Sequence, residues 1–141
     1  MIDQIWRSEN QKILVCIDSY HNGNPRGRLY NDYAGDCRFE SLSQMLLQTE
    51  EMLDDLQTPQ AYTCCRRFSH LVESILTPCG NTIRRGAEAT FELRVIFRQH
   101  TSWQGTILWL EQQQEQSFRS VLEMILLIDS ALRQPERKVG A

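Results

Sequence analysis

A short pattern occurs twice in this chain, 79 residues apart. The pattern F-x-S-x-x-[QE]-M begins at Phe39 and again at Phe118. Ser41 and Ser120 are suitable N-caps, and the Gln or Glu three residues later can complete a capping box. Each copy therefore predicts the start of a helix, with the phenylalanine placed just before it.

The residues that follow the two copies predict helices of different character. In the first, apolar residues form one stripe, while Glu50, Glu51, Asp54 and Asp55 lie opposite it. This pattern is typical of an amphipathic surface helix. The second, over 121–132, is apolar further around its circumference. Such a helix is expected either at the centre of the core or buried against another chain.

A β-hairpin is predicted before each helix. The first consists of QKILVCIDSY, the turn HNGNP and RGRLYN, and the second of ATFELRVIFRQ, the turn HTSWQ and GTILWLEQ. Gly27 and Gly105 open the second strand of their hairpins. The matching order favours duplication or structural repetition of a hairpin-plus-helix unit.

The connection between the two halves predicts one further strand, over 61–68, and a mobile loop around 78–86. The predicted fold class is therefore α+β. It has a mostly antiparallel sheet of about five strands with two helices on one face, built from two β-hairpin-plus-helix halves. We expect a single domain over 1–141. Its parts are a first half 11–57, a connecting strand and loop 58–89, a second half 90–134 and a flexible C-terminal tail 135–141.

The composition limits the functional classes. The chain is 41% hydrophobic and 23% charged with a net charge of −3, which is ordinary for a globular protein and argues against a strong electrostatic attraction to nucleic acid. No apolar run is long enough for a membrane span, and the N-terminus lacks the pattern of a secretory signal. The five cysteines are odd in number and contain no CxxC, which favours reduced thiols and a cytoplasmic location.

The sequence contains no recognisable catalytic constellation. The nucleophile-elbow, zincin, P-loop and dinucleotide-binding motifs are absent, and each of the three histidines falls in a predicted turn or loop. A zinc site formed by Cys64, His70 and Cys79 would lack both a standard spacing and a fourth ligand. We therefore predict a protein without enzymatic activity, cofactor or bound metal.

Arginines recur on one predicted face of the sheet. In the strand 91–98 the apolar residues alternate with Glu92, Arg94 and Arg98, which would then lie on the face left open by the helices. The predicted ligand-binding residues are Arg28, Arg67, Arg94, Arg98, Trp103 and Trp109. Arginines interleaved with an aromatic side chain suit single-stranded nucleic acid or anions. The alternative is cross-strand pairing of these arginines with Glu92 and Glu111.

Three runs carry a resemblance to a known family. They are KILVCIDSYHNGNPRGRLYN, FESLSQMLLQTEEMLDDLQ and FRQHTSWQGTILWLEQQQEQSFRSVLEMILLIDSAL. With the S-W-Q-G…F-R-S pattern, they resemble a family of small uncharacterised proteins of Clostridia-type bacteria, and the resemblance thins between 68 and 89. The family implies no activity and no site residues. At the level of architecture, the predicted fold is similar to single-strand-binding folds of the Whirly and positive-cofactor-4 type.

Two functional hypotheses follow. The first is a non-enzymatic protein-interaction module, expected to be a homodimer, that presents a sheet face or a helix to an unknown protein partner. The alternative is weak binding of single-stranded nucleic acid or another anion on the arginine-bearing sheet face. Trp103, at a predicted hairpin tip, is expected to be covered within its own chain.

Overall fold

The computed structural model describes residues 12–57, 59–61, 65–80 and 84–133. Within these ranges, seven strands form one sheet that packs against two helices. The elements are β1 Lys12–His21, β2 Asn24–Asn31, β3 Gly35–Phe39, α1 Leu42–Leu56, β4 Pro78–Gly80, β5 Ala89–Phe97, β6 Gln104–Trp109, β7 Gln114–Phe118 and α2 Val121–Leu132. The predicted α+β class is confirmed, whereas the predicted number of about five strands was too low. The predicted tail 135–141 lies outside the described residues.

The sheet has the order β4-β3-β2-β1-β5-β6-β7, and all neighbouring strands are antiparallel. The strands β1 and β5 pair at its centre and join the two halves. The sequence reading missed β3, β4 and β7. They are short, and β7 is exposed along most of its length, so they carry little of the apolar alternation by which strands are recognised.

Of two expectations for the connecting segment, the strand was wrong and the loop differs at its start. Of the predicted strand 61–68, Ala61 makes an isolated parallel bridge to Arg98, residues 65–68 form no strand, and 62–64 lie outside the described residues. Residues 66–68 are exposed, so the aromatic side chain that suggested a strand, Phe68, packs on no sheet face. The predicted loop around 78–86 begins with β4, which pairs with β3, whereas residues 84–86 form no helix or strand and 81–83 lie outside the described residues.

The hydrophobic core lies on one face of the sheet. Alternate residues of β1 point into it, and Val15 has Leu29 and Phe91 as its register partners on the two flanking strands. Both helices contribute to the same cluster, with α1 packed on β2 and β3 and α2 on β6 and β7. The helix residues in the cluster are Met45, Met52, Leu53, Met124, Ile128, Ala131 and Leu132.

The two halves have the same order of elements, three strands followed by a helix. In each hairpin a glycine faces a carbonyl across the strand pair. A Cβ on Gly27 would lie 1.9 Å from the Cys16 oxygen, and one on Gly105 would lie 1.9 Å from the Arg94 oxygen. Each hairpin also has a register shift, in the first half just after Ile17 and in the second just after Val95. Because of the short distances to these carbonyl oxygens, no side chain fits at Gly27 or Gly105.

Both predicted helix starts are confirmed. The Ser41 hydroxyl accepts a hydrogen bond of 3.1 Å from the Gln44 amide, and the Ser120 hydroxyl accepts one of 3.2 Å from the Glu123 amide. The side chains of Gln44 and Glu123 in turn accept hydrogen bonds from the amides of the residues just before the caps. These reciprocal bonds satisfy amides that a helix N-terminus otherwise leaves without partners.

The helix α2 is buried along one side and exposed along the other. Met124 and Ile128 lie in the core, whereas Leu122 and Leu126 are exposed. Its last turn is tied to β1 because the Tyr20 hydroxyl donates a hydrogen bond to Asp129. In the part of the chain that the structure describes, neither helix could span a membrane.

The Ser120 cap gives the first test of this fold. We expect Ser120→Ala to lower the free energy of unfolding by about 1 kcal/mol, because the Glu123 amide loses its acceptor. The measurement is urea denaturation followed by circular dichroism. As a control, Ser130→Ala on the same helix changes an exposed hydroxyl and should shift stability by less than about 0.5 kcal/mol. Equal effects of the two substitutions would contradict the capping role.

Candidate functional site

The structure brings only two of the six predicted ligand-binding residues to the open side of the sheet. We call this side, opposite the core, the outer sheet face. Its central members follow from the β1 register and are Leu14, Cys16, Arg28, Thr90, Glu92 and Arg94. Arg28 and Arg94 belong to this face, whereas Arg67, Arg98, Trp103 and Trp109 do not.

Arg94 lies in an ion-pair cluster. Its Nε atom is 3.3 Å from Glu92, and the Lys12 ammonium lies 3.7 Å from the other oxygen of the same carboxylate. The sequence left open a cross-strand pairing of the arginines with Glu92 and Glu111, but the Arg94–Glu92 pair lies along β5 itself, and it is Lys12 of β1 that reaches Glu92 across the strands. The other predicted acid, Glu111, lies 3.9 Å from Arg85 and accepts a hydrogen bond from the Thr90 amide.

Arg98 was assigned to the wrong face. The register shift between Val95 and Phe97 reverses the alternation of β5, so that Phe97 is 46% exposed and Arg98 is only 4% exposed. The Arg98 guanidinium lies on the helix side. It donates hydrogen bonds of 2.7 Å to the Pro59 carbonyl and 2.7 Å to Asp54, and one of 3.2 Å to Glu50.

The two predicted tryptophans are both buried on the helix side of the sheet. Trp103 is covered within its own chain, as expected, and its Nε1 donates a hydrogen bond of 2.7 Å to Glu50. Trp109 lies in the core with its ring centroid 6.3 Å from that of Phe91, and is therefore not an outer-face aromatic. Neither residue presents an aromatic surface for base stacking.

The first candidate site is a groove of about 840 Å³ between α1 and the segment 67–75, which we call the helix-side groove. It is lined by Leu47, Glu50, Glu51, Asp54, Arg67, His70, Leu71, Val72, Glu73, Ser74 and Ile75. Arg67, predicted for the open sheet face, lies exposed in its wall instead. The sequence reading missed this groove because the segment carries no periodic pattern. One signal was present. Glu50 and Asp54 lie one helical turn apart, where like charges repel each other unless a cation lies between them, and the Arg98 guanidinium is that cation.

One wall of the groove is anchored to α1 by polar contacts. Glu51 accepts hydrogen bonds from the Ser74 hydroxyl and, at 2.9 Å, from the Ile75 amide. The buried Gln48 amide donates at 3.1 Å to the Ile75 carbonyl and at 2.8 Å to the Arg38 carbonyl of β3. These contacts fix the 74–75 end of the segment against both the helix and the sheet.

The groove combines exposed apolar side chains with carboxylates. Leu71 is 96% exposed and Val72 is 64% exposed, and Leu47 on α1 is also exposed. The lining of the groove contains four carboxylates and one arginine. A second arginine, the buried Arg98, contacts two of these carboxylates, Glu50 and Asp54. The surface is therefore acidic and apolar at once.

The second candidate site is a pocket of about 480 Å³ on the outer sheet face, which we call the outer pocket. It is lined by Asp18, Ser19, Arg26, Gly27, Arg28, Asp36, Arg38, Phe39, Glu40, Cys79 and Arg84. Arg28 lies at its base and is 5% exposed. The sequence predicted Arg28 here but missed Arg26, Arg38 and Arg84, which come from three separate segments.

The buried thiols are poor nucleophiles. Burial raises the pKa of Cys16 above its ordinary value, although the Arg28 charge acts in the opposite direction, and the Cys16 thiol contacts the Arg84 carbonyl. Burial also raises the pKa of Cys37. Both therefore remain protonated at neutral pH. Among the described residues no three metal-ligating side chains converge, and Cys64 lies outside that part of the chain.

Comparison of the chain with models of known protein families, with curated proteins and with solved structures finds no match. The resemblance to the clostridial family and to the single-strand-binding folds therefore stays a prediction.

The different burial of Arg98 and Arg94 gives a matched test. We expect Arg98→Gln to lower the free energy of unfolding by about 3 kcal/mol, because it leaves partly buried carboxylates without their cation. Arg94→Gln breaks a more exposed pair and should cost less than about 1 kcal/mol. Urea denaturation of both variants measures the difference. If Arg94→Gln were the more damaging substitution, the placement of Arg98 on the helix side would be wrong.

Proposed function

We propose that this chain is a cytoplasmic, non-enzymatic protein-interaction module, and that its helix-side groove binds a basic, amphipathic segment of a protein partner. The observation that carries the proposal is the exposure of Leu71 and Val72 next to the carboxylates of α1. The free thiols of the described cysteines agree with a reducing compartment.

The apolar side chains supply the driving force for binding. Leu47 and Val72 line the same groove as Leu71, and Phe68 is exposed at the start of this segment. Adjacent large apolar residues that face water are typical of surfaces at which a partner binds. A partner that covered them would remove apolar area from water, which stabilises the complex in proportion to that area.

The charges define the chemistry of the partner. Arg98 already pairs with Glu50 and Asp54. The remaining excess of negative charge comes from Glu51 and Glu73 against Arg67, so the groove still favours a segment rich in Lys or Arg. Such side chains can place their alkyl stems on Leu71 and Val72 while their cations approach the carboxylates. An amphipathic helix with basic residues beside its apolar stripe satisfies both requirements.

The anchored wall favours binding without large rearrangement. The contacts of Glu51 and Gln48 with Ile75 fix this end of the groove before a partner arrives. An end that is already fixed lowers the entropic cost of ordering the segment on binding.

A specific observation also favours self-association as a second candidate. Leu122 and Leu126 are one turn apart on α2 and both exposed, which forms an apolar strip on a helix whose other side is buried. The same strip on a second copy would cover it around a two-fold axis. The nucleic-acid alternative has no comparable support, since Arg94 is paired with Glu92 and neither Trp103 nor Trp109 lies on the outer sheet face to stack on a base.

The groove proposal is tested with designed peptides. A labelled Leu/Lys amphipathic peptide of about 14 residues should bind, whereas a Leu/Glu peptide with the same apolar pattern should not. Leu71→Ser and Glu73→Lys should each weaken binding about tenfold, equivalent to about 1.4 kcal/mol. Fluorescence anisotropy provides the affinities.

The matched control for the groove is Leu126→Ser, which removes an exposed leucine from α2 instead. Its affinity for the basic peptide should equal that of the unaltered chain. Absence of binding by the basic peptide, equal binding of the acidic one, or an equal loss in Leu126→Ser would overturn the groove proposal.

The self-association candidate is tested by sedimentation equilibrium at micromolar concentration. The expected result for the unaltered chain is a dimer with twice the chain mass of 16.5 kDa. The double variant Leu122→Glu/Leu126→Glu should sediment as the monomer. Leu71→Glu, in the groove, should leave the doubled mass unchanged. Detection of only the 16.5 kDa species for the unaltered chain would reject the dimer.

A further inference from the structure

The geometry points to the outer pocket as a binding site for a small phosphate monoester, held by the exposed Arg38 and Arg84 beside the buried charge of Arg28. This inference concerns the face of the sheet opposite the helix-side groove and is independent of the proposed protein partner. Its starting point is the buried guanidinium of Arg28.

Arg28 has hydrogen-bonding capacity that the described residues do not use. Its Nη2 donates to the carbonyls of Arg84 and Arg85, at 3.2 and 3.4 Å. Its Nε and Nη1 have no hydrogen-bond acceptor among the described residues and lie 3.8 and 4.0 Å from the nearest carboxylates, those of Asp18 and Asp36. These two atoms are buried, so a ligand does not contact them, but a cation without a close carboxylate leaves a positive potential at the pocket, which favours an anion there.

Main-chain contacts hold the wall of the pocket in place. The Ala87 amide donates at 2.9 Å to Asp18, the Gly86 amide at 2.8 Å to the Thr90 hydroxyl, and the Glu88 amide at 2.8 Å to the Ile17 carbonyl. The segment 84–88 is thereby fixed across β1, and its carbonyls orient Arg28. A guanidinium fixed in this way needs little reorganisation when a ligand binds.

The charges of the pocket favour an anion. Four arginines line it against three carboxylates, a net positive charge in a chain whose net charge is −3. Arg26 and Glu40 pair with each other at 2.7 Å. The exposed guanidinium groups of Arg38 and Arg84 make no ion pair with the described residues and are available to a ligand.

The chemistry of these groups selects the ligand class. Several guanidinium groups around one space match a phosphate, which accepts hydrogen bonds on several oxygens. A volume of about 480 Å³ is that of a small-molecule pocket. Asp18, at the pocket wall, offers a carboxylate to a hydroxyl of the same ligand. A phosphate monoester that carries hydroxyl groups meets both conditions.

The test is calorimetric titration with ribose 5-phosphate and with inorganic phosphate, at constant ionic strength set by chloride. We expect one binding site per chain. Arg38→Gln and Arg84→Gln should each weaken binding about tenfold, because each removes a charged hydrogen-bond donor. Both arginines are exposed, so the variants should fold, and their melting temperatures without ligand verify this.

The control is Arg133→Gln, which removes an exposed arginine at the end of α2 and should leave the affinity within about twofold. Three results would each overturn the proposal. The first is a heat of titration with the phosphate probes no larger than that with chloride, and the second is a loss of affinity in Arg133→Gln equal to that in Arg38→Gln or Arg84→Gln. The third is binding of single-stranded oligonucleotide without binding of either phosphate probe. The peptide titrations of the helix-side groove are unaffected by any of them.

Discussion

The buried cation Arg98 is the constraint on which the helix side of the structure depends. It follows β5 in the second half of the chain, yet it binds Glu50 and Asp54 on α1 in the first half. Glu50 in addition accepts a hydrogen bond from Trp103, just before β6. The cluster of Arg98 and Trp103 with Glu50 and Asp54 therefore attaches α1 to the half of the sheet formed by the second half of the chain. Because the same two carboxylates line the helix-side groove, the cluster also fixes the charges that a partner would meet.

The local features of this fold were predictable from the sequence, because they depend on residues close together in the chain. Ser41 and Ser120 cap their helices through bonds that span three residues. The alternation of β5 was also correct up to Val95, as the core positions of Phe91 and Leu93 show. The strands β3, β4 and β7 escaped prediction because they are short and carry too little apolar alternation to be recognised.

The candidate sites were less predictable, and the β5 register shift explains the largest error. A strict alternation places Arg94 and Arg98 on one face, but one extra residue between Val95 and Phe97 turns Arg98 to the other. Glu92 was named as a partner for the arginines, but across strands, whereas the observed pair of Arg94 with Glu92 lies along β5. The helix-side groove and the outer pocket combine residues from segments distant in the chain. Only the folded structure shows that these residues meet.

The central claim is that the helix-side groove, rather than the outer sheet face or the exposed side of α2, is where a protein partner binds. Two-dimensional amide NMR of the labelled chain, titrated with the basic Leu/Lys peptide, tests it most directly. The account predicts that the chemical-shift changes concentrate at Leu47, Leu71, Val72 and Glu73. Changes that concentrate instead around Leu122 and Leu126, or around Arg28, would contradict it.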